Sequence, residues 1–109
     1  MSTIKLVRND TGPQLRFTLT DSLTGAATDL TGATVTLHLR AVDTTTVLLS
    51  RNATIPAPAT NGIAVIAWQT TDLDIAAGEY EGEVEIVLAS TLRETIFDLL
   101  QFTVREDFT

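Results

Sequence analysis

The stretch "DLTGATVTLHLR", residues 29–40, reads as a strand that carries its own start signal. Asp29, Thr31 and Gly32 make a turn. Val35, Leu37 and Leu39 then alternate with Thr34, Thr36, His38 and Arg40. Successive side chains of a strand point to opposite faces, so one face is apolar and the other carries threonine, histidine and arginine. Whether that polar face does chemistry, touches a partner or meets water is the functional question.

The same grammar extends in both directions. Thr3 to Arg8 reads as a first strand, with Ile4 and Leu6 on one face and Lys5 and Val7 on the other. "NDTGP", residues 9–13, breaks it. In "QLRFTLTD", Leu15, Phe17 and Leu19 alternate with Arg16, Thr18 and Thr20, as a half-buried strand should. A short strand is expected around Thr46 to Arg51. Pro56 and Pro58 mark a connector or an edge, because proline cannot donate to a ladder. Asn61-Gly62 signals a turn before "IAVIAW", residues 63–68, which is apolar on both parities. A single helical turn is expected at Thr70 or Thr71.

"EYEGEVEIVLA" gives the clearest alternation, with Tyr80, Val84, Ile86 and Leu88 expected inward and Glu79, Glu81, Glu83 and Glu85 outward. "STLRE" reads as a hairpin tip. In the last segment Phe97 and Leu99 share one parity while Leu100, Phe102 and Val104 share the other, which predicts a bulge or short break near Asp98 to Leu100. Seven or eight short strands separated by turn residues predict an all-β fold, an immunoglobulin-like antiparallel β-sandwich, as one domain over residues 1–109.

The 109 residues suffice for one core without staples. With Met1 at its start, the chain is expected to be a complete small protein. The absence of cysteine removes disulfides, thiolate metal sites and cysteine nucleophiles together. The start "MSTIKLVRND" lacks the apolar run of a signal peptide, and no run is long enough to span a membrane. A net charge of −7 argues against binding nucleic acid through its phosphates and favours a basic protein partner or plain solubility.

No catalytic set emerges. His38 is the sole histidine, and a triad would need Ser22, Ser50 or Ser90 beside it. Alternate glutamates lie about 6.6 Å apart along a strand, a spacing that also suits paired carboxylates. On an open sheet face, however, they are expected to be hydrated, or to form an acidic patch for a basic partner. Asp10, Asp21, Asp72 and Asp74 lack calcium-loop spacing. Trp68 and Tyr80 read as core residues rather than a stacking platform. No metal and no cofactor are expected.

The informative departure is apolar surplus: Ile63 and Val65 on the second parity of their strand, Val47 to Leu49 in a row, and the apolar last strand. A two-layer sandwich hides one face of each sheet, so loops or another subunit must cover the rest. The residues expected at a partner interface are Ile4, Leu6, Ile63, Val65, Glu79, Glu81, Glu83, Glu85, Leu99 and Leu100.

Taken in order, "NDTGPQLRFTLTD", "DLTGATVTLHLR" and "NGIAVIAWQTTDLDIAAGEYEGEVEI" resemble the N-terminal domain of phage baseplate upper proteins. The matching features are Asp10 to Pro13, Leu15 to Leu19, Asp29 to Ala33, Gly62 to Trp68, Asp72, and Gly78 to Tyr80. The likeness runs from about residue 4 to residue 104. It implies a virion protein of the tail, baseplate or tail fibre, assembled in the host cytoplasm through contacts with other phage proteins, without catalysis. The family domain often heads a longer protein, so this chain is expected to be a free-standing adaptor or a small tail, neck or decoration protein. A homo-oligomer is expected, with no nucleic acid and no membrane as partner. The alternative is a glycan- or cell-surface-binding module on the same fold.

Overall fold

A computed structural model describes residues 3–12, 14–21, 23–95 and 99–108. Pro13 of the first turn, Ser22, and Ile96 to Asp98 of the last segment lie outside them. Eight strands follow in chain order: β1 Thr3–Val7, β2 Gln14–Thr18, β3 Thr34–Ala41, β4 Leu49–Asn52, β5 Ile63–Ala67, β6 Gly78–Val87, β7 Arg93–Thr95 and β8 Leu100–Arg105. They form an immunoglobulin-like β-sandwich of two unequal layers. The large sheet runs β1-β8-β6-β3-β4, with β7 also on β6, and the small sheet is β2-β5.

One pairing departs from an all-antiparallel arrangement: β1 lies parallel to β8, Thr3 opposite Gln101 and Val7 opposite Arg105. After β1 the chain crosses to the small sheet instead of turning back beside its neighbour, and a hairpin between β1 and β8 is impossible at that sequence distance. A second crossing follows β4. The Ala53 N–H donates to the Val35 carbonyl in the large sheet, while Thr54 exchanges both backbone hydrogen bonds with Val65 in the small one. Thr54 thus guards the edge of β5, and Pro56 and Pro58 follow it.

The expected single helical turn is not at Thr70 or Thr71. Gln69 to Asp74 make hydrogen-bonded turns, and a short 3₁₀ turn occupies Ala59–Asn61 instead. The bulge or break expected near Asp98 to Leu100 falls largely on Ile96 to Asp98, outside the described residues; the register is defined on either side of it. Glu85 faces Thr95 and Gly82 faces Leu100, so three steps along β6 match five along β7 and β8. The two additional residues leave the parity unchanged from β7 to β8, and Phe102 and Val104 face inward.

The core lies between the layers. Phe102, Ile86, Val35, Leu37 and Leu39 come from the large sheet, and Ala64 and Ile66 from the small one. Two strands cannot cover six, and the chain's own connections make up the difference: Leu30 and Leu73, both in connecting segments, are fully buried. Gly82 lets Phe102 and Leu37 close over β6, since a Cβ there would stand 2.8 Å from the Phe102 ring.

Candidate functional site

β6 lies between β3 and β8, so its outward glutamates meet the outward residues of β3. Register sets Arg40 opposite Glu81, His38 opposite Glu83 and Thr36 opposite Glu85. Arg40 Nε donates to Glu81 at 2.7 Å. Arg93, entering from β7, reaches Glu85 at 2.7 Å. Glu79 accepts from the Thr103 hydroxyl at 2.8 Å. Glu83 is left between two engaged carboxylates and makes no hydrogen bond or ion pair among the described residues. The row does face outward, but it is not uniformly hydrated as expected: the Glu81 and Glu85 side chains are only 15% and 20% exposed, because neighbouring arginines lie over them.

These residues floor a groove of about 460 Å³. His38, Glu81, Glu83 and Glu85 lie along it, with Val47 from the β3–β4 loop and Leu99 from the β7–β8 break among its lining residues. Val47 and its neighbour Leu48 are about half exposed, and Val42 in the same loop is also exposed. The site is therefore a shallow trough with aliphatic side chains and a floor whose central charge has no partner among the described residues.

His38 meets one of the three serines considered for it. Its Nδ1 lies 2.7 Å from the Ser50 hydroxyl, across the β3–β4 pair. Glu85 stands 3.9 Å from Nε2, beyond the reach of a hydrogen bond that would orient the ring as a general base. Two residues along, Thr36 donates to Asn52 at 2.9 Å in the same geometry. The Ser50–His38 contact is thus one rung of a polar cross-strand ladder. Among the described residues, no group of three His, Asp or Glu side chains could hold a metal ion.

Several expected interface residues lie elsewhere. Leu6 is a core residue, and Ile4 and Leu100 pack against the core, because β1 and β8 turn these side chains inward beside Phe102 and Val104. Leu6 offers no contact surface of its own, whereas Ile4 and Leu100 are partly buried. Ile63 and Val65 are half-buried on the outer face of the small sheet, and Leu99 lies in the groove. Trp68 and Tyr80 are buried. Arg40 and Arg93 were not legible as partners of the glutamate row, since alternation assigns a face and not a neighbour.

Two further polar clusters hold the frame. The Arg51 guanidinium grips the buried Asp72 carboxylate with two hydrogen bonds of 2.5 and 3.0 Å, and the Gln69 N–H adds a third at 2.8 Å. At the end of β1, Arg8 bonds Glu106 and Asp74, and these hydrogen bonds, Glu106 first, raise its pKa.

No family model matches the chain, and no curated protein matches it. Among solved structures it is similar to CopC from Methylosinus trichosporium OB3b, with a TM-score of 0.57 over 100% of this chain and 89% of that one. Sequence identity is 9%, so the likeness concerns the fold alone.

Proposed function

We propose that the chain is a non-enzymatic assembly module of a phage tail, baseplate or tail fibre, working through protein–protein contacts. The ordered motifs from Asp10 to Tyr80 supply the virion context through their resemblance to baseplate upper proteins. The observation that carries the contact role is the trough on the large sheet. Exposed aliphatic side chains there flank a carboxylate without a partner among the described residues, which suits a partner side chain that is aliphatic along its stem and cationic at its tip. Electrostatic complementarity of this kind sets register and selects among partners more than it adds raw affinity.

The test is mass spectrometry of phage particles purified from cells that carry the gene. The chain should be present in a fixed copy number per particle and should remain with isolated tails. Its absence from particles, with normal particle assembly when the gene is deleted, would overturn the reading.

A further inference from the structure

We propose that copies of this chain join head to tail, with Arg16 of one copy entering the Glu83 trough of the next. The proposal rests on the reading of the molecule as an assembly module and names the partner of its trough as a second copy of the chain.

The charge pattern selects the pair. Of the seven Lys and Arg residues, Arg8, Arg40, Arg51 and Arg93 are ion-paired within the chain. Arg105 is taken up by the Glu106 carbonyl and the Phe108 ring. Lys5 and Arg16 make no hydrogen bond or ion pair among the described residues. Lys5 is outward on β1, on the same side of the sandwich as the trough. Arg16 is exposed on the outer face of the small sheet, on the opposite side of the molecule.

Its setting supplies the apolar half of the match. Arg16 lies directly opposite Val65 on β5, and Ile63 is the next outward residue. Both aliphatic side chains are half-buried with a remaining face to solvent. The trough answers with Val47 and Leu99 beside Glu83. Glu81 and Glu85 already hold arginines of their own chain, and among the described residues Glu83 is left to receive another guanidinium.

Donor and acceptor lie on opposite faces of one sandwich. Two copies therefore cannot satisfy each other reciprocally. Such a heterologous contact propagates, closing into a ring if its rotation allows and forming a filament otherwise.

The experiment is sedimentation velocity on the full chain and on Arg16→Gln and Glu83→Gln, with emission of the buried Trp68 and circular dichroism as checks on folding. The parent chain should form species larger than a dimer at high concentration. Each variant alone should stay monomeric, its association weakened by about tenfold or more. An equimolar mixture of the two should give a 1:1 dimer that grows no further, because one variant keeps only the trough and the other keeps only Arg16. Lys5→Glu should assemble like the parent. A monomeric parent chain at every concentration would overturn the proposal while leaving a place in the particle intact. Folded variants that fail to pair on mixing would also overturn it, as would loss of assembly in Lys5→Glu. Assembly by a chain that is absent from particles would uphold this inference and sink the virion reading instead.

Discussion

Asp29 sets where β3 begins. Its carboxylate accepts from the Thr31 hydroxyl at 2.6 Å and from the Thr31 N–H at 3.0 Å. These bonds, the hydroxyl first, hold its pKa below the ordinary value of 3.8. A carboxylate with a lowered folded-state pKa contributes stability that is complete above its unfolded value and fades as pH falls through the lowered one. Asp29→Ala should thus be less stable than the parent at neutral pH, with the gap closing below about pH 4. Urea titrations at neutral and acidic pH check this, and a gap that persists in acid would contradict it. Gly82 makes a steric prediction. An added methyl would meet Phe102 at 2.8 Å and Leu37 at 3.0 Å, inside a packed core. Gly82→Ala should cost about 1–3 kcal/mol in denaturant melts.

Between strands, the structure depends on a few stitches. Arg51 on β4 reaches across to Asp72 in the β5–β6 connection, tying the edge of the large sheet to the turn beyond the small one. The Asp72 side chain is 4% exposed, whereas Arg51 is a quarter exposed. Arg51→Met strands the carboxylate with a single backbone donor, and a loss of about 3 kcal/mol is expected, at the low end for a broken buried pair because solvent reaches one partner. A melting curve unchanged by Arg51→Met would show that the pair is dispensable. At the start of β6, the Tyr80 hydroxyl donates to the Ala76 carbonyl four residues upstream, at 2.5 Å. This has the form of the tyrosine corner of immunoglobulin-like sandwiches. Tyr80→Phe should lose about 1 kcal/mol in thermal or urea unfolding, with the fold retained.

The molecule presents two different outer surfaces, one with Arg16 among aliphatic side chains and one with a trough around Glu83, neither charge having a partner among the described residues. Contacts between exposed charges are screened within about 10 Å at 0.1 M salt. Self-association should therefore weaken as salt rises from low to high ionic strength, measured by the weight-average mass in sedimentation equilibrium. Association that strengthens with salt would mark a wholly apolar contact instead.

Much of this architecture is written locally. Period-two alternation marks β3 and β6 and assigns Val35, Leu37, Tyr80 and Ile86 to the core, because a strand's side chains must face one layer or the other. The Asp29 turn is equally local, a matter of side-chain hydrogen bonds to a residue two positions away. Neighbours are not local. The parallel β1–β8 pair, the crossing at Ala53 and Thr54, and the burial of Leu6 depend on which distant strand lies alongside. The functional surface depends on the same thing. Alternation turns four glutamates outward, but only the register of β3 and β7 against β6 brings Arg40 and Arg93 to two of them and leaves Glu83 without a partner among the described residues.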